Sequence, residues 1–180
     1  PSFALEPGRV GPQLTTLGRA LPRPQAVLVV SPHWMTPAPR VSCTTAPATI
    51  HDFGGFDPAL YQIGYPAPGH AELAQRTVEH LSTAGWPAQG DAHRGLDHGA
   101  WVPLMHLYPE ADVPVFQVSL PSRLGAERAW AFGRALAPLA DDGVLIVGSG
   151  SLTHNLFEFR GTHARPEAYA AEFAGWVREA

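Results

Sequence analysis

Lysine is absent from this 180-residue chain: all 12 basic residues are Arg. That excludes Schiff-base catalysis by a lysine and the phosphate-gripping lysine of a P-loop. Cysteine is nearly absent too. The single Cys43 has no partner for an internal disulfide, which fits a reducing compartment and the expectation of a cytoplasmic protein. The longest aliphatic run, Ala26 to Val30, falls far short of the roughly 18 residues that a membrane span needs. No charged stretch followed by an apolar region opens the chain. A formal charge of −4 argues against a protein that tracks a nucleic-acid backbone.

What the chain does have is histidine, nine residues, together with 19 Pro and 18 Gly. The prolines and glycines are spread between periodic segments and read as turn punctuation rather than low complexity. With 45% apolar residues the composition is that of a globular protein, and the length suits one domain with a sizeable core. There is no initiator Met, and the end of the chain falls within a helical pattern beginning near Pro166. The expectation is therefore one domain over 1–180 that lacks its extreme N-terminus and a C-terminal segment.

Ala26-Val-Leu-Val-Val30, bounded by Pro24 and Pro32, has the pattern of a strand buried on both faces. The Pro- and Thr-rich stretch from Pro37 to Thr49 reads as loop. Leu73, Ala74, Val78 and Leu81 recur at helical spacing between His70 and Ala84, before Gly85 and Pro87. Gly99 to Tyr108 reads as a short helix, with Pro103 tolerable only in a first turn. Val113 to Leu120 and Gly143 to Val147 read as strands, and Ala126 to Leu139 as a helix with an apolar stripe. Buried-type strands alternating with helices predict an α/β fold: a single domain with a largely parallel central sheet flanked by helices.

In such a sheet, ligands bind beyond the carboxyl ends of the strands. The first strand runs into Ser31-Pro-His-Trp34, and the last into Gly148-Ser-Gly-Ser-Leu-Thr-His-Asn155. Each thus delivers a histidine, His33 and His154, to the same sheet edge. His98, in the glycine-flanked turn Gly95-Leu-Asp-His-Gly-Ala-Trp101, is a third candidate. Imidazole is both a common ligand for zinc, iron and copper and the side chain that moves protons near neutral pH. A lone histidine is more often a surface or hydrogen-bonded residue, and His70, His80, His106 and His163 are read that way. Asp52 and Asp97 each adjoin a histidine, but sequence neighbours seldom face one another, so an outer supporting role is the most they suggest. The Gly148 segment lacks the third glycine of a dinucleotide fingerprint and is no G-x-S-x-G elbow. Phe53, Phe56, Tyr61 and Tyr65 either line an apolar pocket or pack a long loop onto the core.

Taken in order, Ser31-Pro-His-Trp34, Ile50-His-Asp-Phe-Gly-Gly-Phe56, Tyr65-Pro-Ala-Pro-Gly69, Gly95-Leu-Asp-His-Gly-Ala-Trp101 and Gly148-Ser-Gly-Ser-Leu-Thr-His-Asn-Leu156 resemble the class III extradiol ring-cleavage dioxygenases. Within these the resemblance is to the 4,5-DOPA extradiol dioxygenase group, related to the catalytic subunit of protocatechuate 4,5-dioxygenase. It extends over essentially the whole chain.

The resemblance implies one divalent metal, Fe(II) in turnover and Zn(II) in some isolated members. It also implies a catechol and O₂ as substrates, as in aromatic-compound breakdown. His33 matches a metal ligand, and His154 matches a histidine assigned either as a further ligand or as the catalytic acid/base. His98 matches a histidine near the substrate hydroxyls. The family's first metal histidine belongs to a His-Gly-Ser-Pro motif, of which this chain contains the proline as Pro1. A zinc hydrolase on the same scaffold and a non-enzymatic binding module are the alternatives.

Overall fold

The computed structural model describes residues 1–155, 157 and 166–179. In chain order the helices and strands are α1 (Val10–Ala20), β1 (Ala26–Thr36), β2 (Arg40–Ser42), α2 (Ala71–Thr83), β3 (Gln89–Asp91), α3 (His98–Leu107), β4 (Val115–Pro121), α4 (Ala126–Leu136), β5 (Val144–Gly148) and α5 (Ala168–Glu179). The five strands form one sheet in the order β3-β2-β4-β1-β5. Strand β1 runs parallel to both β4 and β5, and β2 is parallel to β3. Only the β2–β4 junction, through Val41 and Val118, is antiparallel. This is the α/β fold with a largely parallel, helix-flanked sheet that the sequence predicts.

The apolar run of β1 explains its central place. Successive side chains of a strand point to opposite faces, so a continuous apolar run suits a strand covered on both sides. Val27 and Val29 pack on one face with Leu96, Ala100, Trp101 and Leu104, whereas Ala26 and Leu28 pack on the other with Phe116, Phe132 and Leu136. Each fully buried side chain of this size contributes about 2 kcal/mol, so the sheet is held from both faces rather than by one layer.

The structure differs from the sequence reading in several places. Helix α1 is not signalled, because Gly11, Pro12 and Gly18 depress its helical pattern. Packing overrides propensity here. Gly18 lies so close to the Leu107 carbonyl that a Cβ would overlap it, and Thr15 Oγ1 donates to the His106 carbonyl at 2.8 Å. Strands β2 and β3 have three residues each, too few to display a period of two. Pro103 is the sixth residue of α3 rather than part of its first turn, and the helix continues past it. The bond thereby lost is the one that would have reached the carbonyl of Gly99.

Residues 1–149 form one compact unit and 150–180 a second. In the second, Phe173 and Trp176 of α5 stack with ring centroids 5.6 Å apart. Among the described residues, no helix is long and apolar enough to cross a membrane.

Candidate metal centre

Strand β1 carries His33 out of the sheet by breaking register. Ser31 pairs with Ser119 of β4 and Met35 with Leu120, so Pro32, His33 and Trp34 have no counterparts opposite them. A bulge of this kind re-aims side chains at a sheet edge, and Pro32 has no N–H to lose from the ladder. His33 is exposed, whereas Trp34 is buried with the Arg94 guanidinium 5.0 Å from its ring centroid.

The first turn of α3 meets this bulge through a buried carboxylate. Asp97 is the N-cap: its Oδ1 accepts from the Gly99 N–H at 3.0 Å and from Ser31 Oγ at 2.7 Å. Its Oδ2 accepts from Arg94 Nη2 at 2.7 Å and from Gln117 Nε2 at 2.8 Å, and Gln117 Oε1 takes the Asp97 N–H in return. A fully buried carboxylate is costly unless its oxygens are satisfied, and here four donors satisfy it. The network ties β1, β4 and α3 together at one point. Gly99 lets the helix approach, since any Cβ there would overlap Ser31 Oγ.

His98 is the first helical residue of α3, and its ring stands against that of His33, with centroids 3.9 Å apart and planes at 42°. A third group arrives on the segment before Phe53. The Ile50 N–H donates to the Leu96 carbonyl at 2.8 Å, and Trp101 Nε1 donates to the Ile50 carbonyl at 3.0 Å. So anchored, the segment delivers Asp52, whose Oδ1 accepts from the backbone N–H of His98 at 2.8 Å and pairs with His98 Nδ1 at 2.9 Å. Asp52 Oδ2 lies 3.7 Å from His33 Nδ1. One ligand atom from each of His33, Asp52 and His98 falls within 4.8 Å of the others, close enough for the group to hold a metal ion. An imidazole beside a carboxylate suits a divalent first-row metal, which His33 can ligate with Asp52 and His98 close at hand.

Electrostatics keep the group in ligand-ready form. Partial desolvation of the half-exposed ring and the neighbouring His98 lower the pKa of His33, only partly opposed by Asp52 and Asp97. Burial alone would raise that of Asp52, but the hydrogen bonds from His98 outweigh it and hold the carboxyl below its ordinary value. An uncharged His33 is the form that binds metal, and an ionised Asp52 the form that accepts the bonds from His98.

An aromatic wall rises beside the cluster. Phe53 stands edge-on to His98 at 5.5 Å, with Tyr61, Phe56 and Trp101 within 6.4 Å of it. Tyr65 does not join them: it is buried and donates through its hydroxyl to the Tyr108 carbonyl at 2.9 Å, a packing role.

Of the predicted site residues, His33 and His98 come together. His154 is an exposed residue of the second unit, where it lines a surface pocket with Thr153, Asn155, Phe157 and Tyr169. The end of β5 lies beside Val30, and the Ser149 N–H continues the ladder to the Val30 carbonyl at 2.9 Å. Both strands thus leave the sheet at one edge, as expected. His70 caps α2, while His80 and His106 bind backbone carbonyls, the bland roles expected of them. His163 lies outside the described residues. Asp52, credited from sequence with no more than an outer supporting role, is the residue whose partner the sequence did not reveal. Its partner is not the adjacent His51, which pairs with the Ile63 carbonyl, but His98, 46 residues away.

Comparison with known proteins places the chain in a family. The family described as the catalytic LigB subunit of aromatic ring-opening dioxygenase matches residues 14–179. A 4,5-DOPA dioxygenase extradiol from Beta vulgaris is 48% identical over 162 residues, which is 88% of this chain and 59% of that protein. One from Escherichia coli K12 is 44% identical over 164 residues, 90% of this chain and 60% of that protein. The crystal structure of an uncharacterized protein from Escherichia coli K12 superposes with a TM-score of 0.78 at 37% identity, covering 96% of this chain and 65% of that one. The chain thus spans about 60% of the length of the curated relatives it matches. The LigB match runs across β1, α3 and the centre they build, and by it the chain belongs to the family of catalytic LigB subunits of aromatic ring-opening dioxygenases.

Proposed function

We propose that the protein is a metal-dependent extradiol dioxygenase that opens a catechol ring beside its two hydroxyls, with DOPA or a similar catechol as substrate. The observation that carries this reading is the meeting of His33, Asp52 and His98 at the carboxyl edge of the sheet, with Phe53 edge-on to His98. DOPA enters through the relatives from Beta vulgaris and Escherichia coli, which are named for it.

The residues present fit a single divalent ion. His33 would hold it, with His154 as a further ligand or as the acid/base, and the assignment is Fe(II) in turnover and Zn(II) in the isolated protein. Bound there, Fe(II) supplies Lewis acidity and open coordination positions, so that a chelating catechol and O₂ react at close quarters. The chain's own residues do the rest. The second hydroxyl of the catechol must lose its proton, and ring opening needs a proton returned. A neutral histidine suits both tasks, with His154 the first assignment and His98 the second. The faces of Phe53 and Tyr61 offer a surface for an aromatic ring and keep water from one side of His98.

The test is oxygen uptake by the full-length protein, loaded anaerobically with Fe(II) and given a panel of catechols including DOPA. A coloured ring-opened product with equimolar oxygen consumption is expected. No uptake by a folded, iron-loaded protein overturns the reading, and turnover without an oxygen requirement replaces it with hydrolysis.

A further inference from the structure

We propose that Asp52 is a positioning residue shared by both histidines, holding each ring from its Nδ1 side so that both Nε2 atoms face the reacting groups. What those Nε2 atoms do rests on the function proposed above; the orientation itself does not.

The argument begins with what Asp52 is tied to. The backbone two residues before it is placed by contacts that involve neither histidine: Trp101 Nε1 to the Ile50 carbonyl, and the Ile50 N–H to the Leu96 carbonyl. The carboxylate is therefore a fixed reference against which the rings can be set. Its two oxygens divide the work. Oδ1 takes two hydrogen bonds from one residue, the backbone N–H of His98 at 2.8 Å and its ring Nδ1 at 2.9 Å. Two bonds to one oxygen, from the main chain and side chain of the same residue, leave His98 little freedom to rotate about χ1 or χ2. Oδ2 faces His33 Nδ1 at 3.7 Å, beyond hydrogen-bond length but within reach of a charge contact. A carboxylate cannot donate, so the His98 Nδ1 bonded to it carries the hydrogen, and the charge contact favours the same form of His33.

The consequence is a choice of tautomer. With hydrogen on Nδ1, a neutral imidazole has its lone pair on Nε2. One carboxylate thus fixes the tautomer of His98 by a hydrogen bond and favours the same tautomer in His33, whose ring is 3.9 Å away, by charge. His33 then offers Nε2 as a ligand, and His98 offers Nε2 to a substrate hydroxyl. A carboxylate behind a ligating histidine is worth about 10–100-fold in metal affinity or activity where such partners have been removed. Asp52 also accepts the first N–H of α3, where the helix end favours an anion.

Two variants separate the arms. Asp52→Asn keeps an oxygen able to accept both His98 bonds but puts an amide where Oδ2 faces His33. Asp52→Ala removes both arms. The primary readout is the ¹⁵N imidazole spectrum of the metal-free protein, recorded above the titration range of histidine. In the parent both rings should carry hydrogen on Nδ1. Asp52→Asn should retain that signature for His98 and lose it for His33, and Asp52→Ala should lose it for both. Metal affinity should fall about 10–100-fold in both variants. In the Fe(II)-loaded protein kcat should fall by a similar factor in Asp52→Ala, with little change in KM. Hydrogen on Nε2 of His98 in the parent, or unchanged tautomers in a folded Asp52→Ala, overturns the proposal. Because the spectrum needs neither metal nor catechol, absence of dioxygenase turnover in the parent would strike the functional reading and leave this one standing.

Discussion

Gly99 lies so close beneath His33 that a methyl group on it would come within 3.0 Å of His33 Cδ2 while overlapping Ser31 Oγ. Two effects of Gly99→Ala therefore oppose each other. Helix propensity alone would stabilise the variant by up to about 1 kcal/mol. Overpacking against Ser31 Oγ, which is fixed by its bond to Asp97, costs about 1–3 kcal/mol and displaces the His33 ring. Sterics should win, lowering stability in urea titration and weakening metal binding together. The penalty should shrink when Ser31→Ala is already present, because the overlapped oxygen is then gone. A stabilised Gly99→Ala would show that the helix start has room to spare.

Asp97→Ala should be among the most destabilising single changes in the first unit. It leaves the Ser31 hydroxyl, the Gly99 N–H, Gln117 Nε2 and Arg94 Nη2 without their acceptor. Arg94 Nε is already buried without a hydrogen-bond partner among the described residues, so the guanidinium would be left with its contact to the Trp34 ring. Removing one partner of a buried charge pair costs about 3–5 kcal/mol. Arg94 keeps a fifth of its side chain exposed, which points to the lower end. Thermal or urea unfolding measures it, and a loss below about 1 kcal/mol would contradict the role assigned to the network.

Alanine variants of the three histidines should separate by what they lose. His33→Ala should lose metal and activity together. His98→Ala should retain metal while kcat falls about 10²–10⁴-fold, the range for a proton-transfer group. His154→Ala should collapse turnover yet keep some catechol binding if that residue moves protons. Equal loss of metal and activity there would make it a ligand instead. Metal content and anaerobic catechol titration, run beside oxygen uptake, give the comparison.

The lowered pKa of His33 sets the sign of one pH effect. Burial and His98 disfavour its charged form in the folded state, so the unfolded chain binds the proton more readily. In the metal-free protein, stability should therefore fall as pH drops from about 6.5, the ordinary value, through the lower folded value. His33→Ala should flatten that limb. Asp52, also held below its ordinary value, contributes stability that is present above 3.8 and lost as pH falls through its own folded value. Urea titrations across this range and the NMR titration of His33 test both. A His33 midpoint above 6.5 would reverse the first sign.

Much of the fold was legible because its signals are local. The β-branched run of β1, the helical stripe of α2 and the glycine-bounded β5 each occupy a few turns or a single strand, and periodicity reads them directly. Helix α1 was not legible, because what holds it is Gly18 against the Leu107 carbonyl, a contact between residues 89 positions apart. Strands β2 and β3 were not, because three residues carry no pattern of their own.

The candidate site divides in the same way. Sequence alone determined that His33 follows a buried strand, that His98 stands in a turn just ahead of a helix, and that the ordered motifs resemble those of one family. Tertiary structure decided that these two rings meet, since that depends on three residues of β1 bulging from the ladder and on Gly99 giving the helix room to approach. It also decided which aspartate serves them. Asp52 and His98 are 46 positions apart, with α2 and β3 between them, and the segment carrying Asp52 is brought back to α3 by the Trp101 and Leu96 contacts to Ile50. No spacing rule reaches across a whole helix and strand, because where the chain returns depends on how those elements pack against the core.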